Sequence, residues 1–122
     1  VAGLTNAESA ATLDARFPTS GGTDYVAYSA NGTSESGALA RTAVGATGWA
    51  AATNADPSVK ANANALTSAA ASSGATITHF AIFSASTGGT QRTDWTALAS
   101  SRTVAAGDTL TWAIGALQVT LT

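Results

Sequence analysis

Three kinds of residue in this chain could do chemistry: one histidine, a handful of carboxylates and three tryptophans. His79 is the only histidine in 122 residues. It lies in Thr76-Ile77-Thr78-His79-Phe80-Ala81-Ile82-Phe83, and strand periodicity puts it on the face of Ile77, Ala81 and Phe83. A histidine base needs a nucleophile within reach and a third group to orient it. Serines are abundant, yet none stands in a Gly-x-Ser-x-Gly elbow. Hydrolysis would therefore require His79 in an open cleft beside a serine or carboxylate. A buried or half-buried histidine with one hydrogen bond is the simpler expectation.

The carboxylates are Glu8, Asp14, Asp24, Glu35, Asp56, Asp94 and Asp108. No two are spaced as an acid–base pair on a helix, and Glu8 is explained by capping. The chain has no calcium loop, no His-x-x-x-His pair and no cysteine, so neither a metal nor a disulfide is implied. Gly88-Gly89 lacks the following helix and the Lys-Ser/Thr of a phosphate loop. Trp49, Trp95 and Trp112 could line a carbohydrate site if they shared an exposed concave face. Trp95 and Trp112 are read as core, and Trp49 as a core or interface anchor. The residues therefore supply no catalytic, cofactor-binding or metal site, and no enzyme is expected.

Composition bounds the rest. Ala, Thr, Ser and Gly make up 75 of the 122 residues, and only 12 are charged, for a net charge of −2. The four arginines and one lysine are scattered, which argues against nucleic-acid binding, where a basic patch displaces counterions. A surface of Ala, Thr and Ser loses little side-chain entropy on contact and suits close packing on a partner. A biased genomic composition accounts for it equally well. No stretch approaches the ~20 apolar residues of a membrane span, and no membrane association is expected. The N-terminus shows neither a basic region nor an apolar run, so no targeting segment is expected. With no methionine in the chain, an initiator residue is expected to have been removed.

The elements that must position these residues are mostly strands. Thr5-Asn6-Ala7-Glu8 fits a capping box, with Thr5 as N-cap and Glu8 three residues on. Ala10, Leu13 and Phe17 then fall on one helical face, and Pro18 ends the run, so a helix is expected over 6–16. It must dock Leu13 and Phe17 onto an apolar surface. Strands are expected over 24–29, weakly over 38–44 with Arg41 on the exposed side, over 59–66, 76–83 and 92–98 with Trp95 at its middle, at 102–104, and over 109–121. Asn31-Gly32 is a hairpin signal, but the polar residues 33–37 read as a longer exposed loop. Asn31-Gly32-Thr33 matches the glycosylation pattern and is read as chance.

In the last run Leu110, Trp112 and Ile114 are apolar at even positions, while Leu117, Val119 and Leu121 are apolar at odd ones. That phase change predicts a bulge or bend at Gly115, or two strands in two sheets. The whole reads as a mainly β chain: one antiparallel β-sandwich domain over 1–122, with about seven or eight strands and one short N-terminal α-helix. Within it, 1–4 is an arm, 5–17 the helix and 23–122 the sandwich.

Leu4-Thr5-Asn6-Ala7-Glu8, Leu13-Asp14-Ala15 with Phe17, and Asp24-Tyr25-Val26-Ala27-Tyr28 resemble a family of small virion proteins from phages of high-GC actinobacteria. So do the segment from Ile77 through Phe83 to Gly89 and the ending from Arg102 to Leu121. The likeness covers both ends and about half the chain, while residues 32–73 depart from the pattern. Members are labelled as tail-fibre or head proteins. The resemblance implies a virion structural protein with no catalytic residues. The preferred expectation is a capsid decoration (cement) or minor capsid protein on the outer head shell, a homo-oligomer bound to the major capsid protein. The candidate contacts are the arm Val1, Ala2, Gly3 and Leu4, together with Trp49. Thr5, Glu8, Leu13, Phe17, Trp95, Trp112 and Gly115 are read as structural. The alternative is a receptor- or glycan-binding module on the tail or head surface.

Overall fold

The computed structural model describes residues 3–121. It is mainly β and antiparallel, with one helix near the N-terminus and eight strands among the described residues. Its contacts gather into two compact units, where the sequence reads as one domain. The first unit takes the chain up to Gly22, then Val44–Ala65, then the chain from Trp112. The second takes Thr23–Ala43 and Leu66–Thr111. No described helix is long and apolar enough to cross a membrane.

In the first unit, helix α1 spans Asn6–Arg16, with the expected bounds. Thr5 caps it by accepting a hydrogen bond from the Glu8 amide at 3.2 Å, which satisfies one of the helix's unpaired first-turn donors. Ala10 and Leu13 turn inward, and Phe17 is buried just beyond the last turn. The Phe17 ring meets Trp49 edge-on, with centroids 5.4 Å apart. The helix packs on β3 (Ser58–Ala61) and β8 (Gln118–Leu121), which pair antiparallel.

The expected strand over 59–66 is cut short at Ala61, and Asn62 is the cause. Its side chain is 1% exposed. Its amide nitrogen donates to the Asn64 and Ala113 carbonyls at 2.8 and 3.0 Å, and its oxygen accepts from the Leu117 amide at 2.9 Å. Its backbone carbonyl accepts from Gly115 at 3.0 Å. A buried asparagine bonded on all these sides turns the chain out of the ladder. The run 109–121 divides as its phase change predicts. Gly115 adopts φ +80°, a left-handed conformation that a side chain disfavours. Two strands result, β7 (Thr111–Trp112), which pairs with β4 (Leu66–Thr67), and β8, which pairs with β3. Trp112 and Leu117 are buried, and Ile114 at the bend is 70% exposed.

The second unit is built on a four-stranded sheet in the order β2 (Thr42–Ala43), β1 (Tyr25–Ser29), β5 (Ala75–Phe83) and β6 (Thr96–Val104). Val26 lies opposite Ile82 and Tyr28 opposite Phe80, so one face carries the large buried side chains. Ala27 opposite Ala81 forms the middle of the other face. The Tyr28 hydroxyl shares a 2.6 Å hydrogen bond with Thr42.

The expected strands 92–98 and 102–104 form one strand, β6, with a bulge. Ile77 faces Arg102 while His79 faces Ala97, so four residues of β6 stand against Thr78 alone. Trp95 precedes this strand instead of centring it, because residues 91 and 92 bond locally to β5 at Phe83 and Ile82. The weak strand over 38–44 reduces to two residues, since 30–41 form a long loop. That loop opens on Asn31, whose side chain accepts from the amides of Thr33 and Ser34 instead of closing a two-residue hairpin.

Candidate functional site

The chemistry in the second unit gathers around Arg41, which the sequence reading placed on an exposed strand face. Its side chain is 6% exposed. Nε and Nη2 donate to the two oxygens of Glu35, each at 2.9 Å, a bidentate pair. Nη1 donates to the carbonyls of Ala85 and Gly88, both at 2.8 Å. The guanidinium lies 3.9 Å from the centre of the Phe83 ring. One side chain thus ties the 35–41 loop to the turn after β5. Burial follows because a planar guanidinium with matched acceptors is less costly to desolvate than an unpaired ion.

Between these two loops lies a groove of about 470 Å³. Glu35, Ser36, Arg41, Ser72, Ser86 and Thr87 bring polar groups to its walls, and Leu39 and alanines its apolar part. Ser86 and Thr87 are exposed. The groove holds one carboxylate, already paired, and no histidine.

His79 is half-buried and bonds Thr78 Oγ1 through Nδ1 at 2.7 Å. Its other edge lies against Gly32, where a Cβ would stand 2.9 Å from Nε2. No serine or carboxylate among the described residues bonds the ring, so the geometry a histidine base requires is not assembled there. No group of three or more metal-ligating side chains stands together among the described residues.

The remaining expected residues are dispersed. Val1 and Ala2 lie outside the described residues, while Gly3 and Leu4 are exposed. Trp49 is 2% exposed and packed on Phe17, so it offers no face to a partner or a glycan. Trp95 is half-buried against Phe83, with centroids 5.9 Å apart, where a core position is expected. It lies in the other unit from Trp49.

The sequence reading missed the ion pairs. In the first unit Lys60 is fully buried, and its Nζ meets Asp14 at 2.5 Å, while Asp14 also accepts from the Ala52 amide at 2.9 Å. The Lys60 hydrogen bond, opposed by burial and helped by the Ala52 amide, holds the Asp14 carboxyl below its ordinary value. In the second unit Arg92 Nε lies 3.0 Å from the buried Asp24, an ion contact without directed hydrogen-bond geometry. The available signal was scarcity: six of the 12 charged residues form these three pairs. In so uncharged a chain, each remaining charge is a candidate for structural use.

A family model described as podophage GP4 fiber I protein gp80 matches residues 4–120, including the central region that departs from the expected pattern. No curated protein matches the chain.

Proposed function

The chain belongs to the podophage GP4 fiber I protein gp80 family, and from that membership we propose that it is a structural protein of the phage virion, a fibre component that works by adhesion. The match over 4–120, nearly the whole chain, carries this reading. The small-residue, weakly charged surface supports it, because such a surface packs closely on neighbours at low entropic cost. In this reading the chain performs no catalysis. It acts as a homo-oligomer whose many weak contacts add up to firm attachment.

The second reading is capsid decoration, with the major capsid protein as partner. What favours it is a fold of compact units, without the repeats of a fibre shaft among the described residues. Gly3 and the exposed Leu4 would then be the contact residues nearest the N-terminus. Cryo-electron microscopy of purified virions separates the two. Density for this chain along fibres, over a bare shell, is the expected result. Density at regular icosahedral positions would replace the fibre reading with decoration, and virions without the chain would overturn both.

A further inference from the structure

We propose that the groove between the 35–41 loop and the turn after β5 binds a neutral, polyhydroxylated ligand, a short saccharide in chemical class. The inference rests on the groove's geometry and holds wherever the chain sits in a virion. At about 470 Å³ the groove falls within the roughly 300–1,000 Å³ of ligand sites.

Its electrostatics select against anions. Arg41 brings a positive charge, but four of its five N–H donors are taken, Nε and one of Nη2 by Glu35 and both of Nη1 by carbonyls, which leaves a single Nη2 N–H. The carboxylate opposite cancels the charge, so an entering anion meets no free donor fork. A hard cation fares no better, since it takes about six to eight oxygens and the one carboxylate here is already paired. The apolar part of the lining is Leu39, alanines and side-chain carbons, with no aromatic ring on which a flat apolar ligand could stack.

The polar groups on the walls are suited to hydroxyl chemistry. Each Glu35 oxygen accepts one hydrogen bond from Arg41 and retains a second lone pair, and the side chain is 35% exposed. Two neighbouring hydroxyls of a sugar ring can donate to such a carboxylate in charge-assisted bonds. Ser36 Oγ accepts from the Ala38 amide, which leaves its proton to donate. The Ser86 and Thr87 hydroxyls make no bond to described residues and are open to solvent. A saccharide hydroxyl is both donor and acceptor, and this mixture complements it. Arg41 holds both walls over Phe83 before any ligand arrives, so little ordering is needed on binding. Without a stacking aromatic, single-site affinity is expected on the order of 1 mM, strengthened by multiple copies.

The test is an amide-resolved NMR titration of the full chain with gluco-, galacto- and manno-configured trisaccharides, and with sialyllactose as the anionic probe. Saturable shifts at residues 35–41 and 86–88 with a neutral trisaccharide are expected. The Ser86→Ala/Thr87→Val double variant, which removes two exposed hydroxyls and keeps the branched shape at 87, should raise Kd at least fivefold with the remaining amides unmoved. No saturable shift with any neutral probe, shifts mapping elsewhere, binding by sialyllactose alone, or an unaltered Kd in the double variant would each overturn the proposal. Arg41→Lys adds a second readout: it removes the planar fork and should weaken binding while raising hydrogen exchange in 84–90.

Discussion

Lys60 is fully buried, and its ammonium meets one carboxylate, Asp14, that still faces solvent over 43% of its side chain. Removing the carboxylate's charge leaves the ammonium buried and uncompensated. A fully buried pair loses about 3–5 kcal/mol in that way, and Asp14's exposure reduces the expected cost of Asp14→Asn to about 2 kcal/mol, read by urea denaturation at pH 7. Lys60→Met removes the charge that needs a partner and should cost less than Asp14→Asn. The acid behaviour follows from the same contact. Asp14 titrates below 3.8 when folded, so its contribution is complete above that value and is lost as pH falls through the folded one. Unfolding midpoints measured by titrating downward should show a loss below pH 3.8 that Asp14→Asn lacks. At Gly32 the left-handed φ of +75° and the His79 ring at 2.9 Å from a built Cβ act together. Gly32→Ala should cost about 1–3 kcal/mol by thermal unfolding and shift the His79 ring signals.

At the scale of elements, helix α1 was legible because its signals are contiguous: a cap, a period and a proline stop within residues 5–18. Thr5→Ala should lower stability by about 1 kcal/mol in urea denaturation, with the loss of helical circular dichroism first. The break after Ala61 was not legible. Asn62's partners Ala113 and Leu117 are 51 and 55 residues away, and locally it reads as one more polar residue in an alternating strand. Asn62→Ala should cost about 2–4 kcal/mol by the same measurement, since it strips three side-chain bonds and leaves the buried Leu117 amide without its acceptor. Trp95 shows the reverse error. It sits in a run with strand composition, but residues 91 and 92 are claimed by β5, and the ladder of β6 begins only at Thr96.

For the whole molecule, 12 charges on 122 residues leave little to keep free copies apart. Turbidity of the isolated chain should peak near its isoelectric point of about 4.9 and fall on either side. In the proposed virion role, neighbouring subunits would cover the surface that charge would otherwise protect. By itself the sequence determined the β class, the bounds of α1, the parting of the last run at Gly115 and membership of a phage structural family. All of these are written in neighbouring residues, in local periodicity or in pattern along the whole chain. Only the tertiary structure decided which strands pair, that Trp49 is interior, and that Arg41 is a buried clasp. The two walls of the groove meet through bonds between residues 44 and 47 positions apart. In a chain made mostly of Ala, Thr, Ser and Gly, many pairings look alike locally. The choice among them falls to the few large and charged side chains, whose partners come into reach only once the chain has folded.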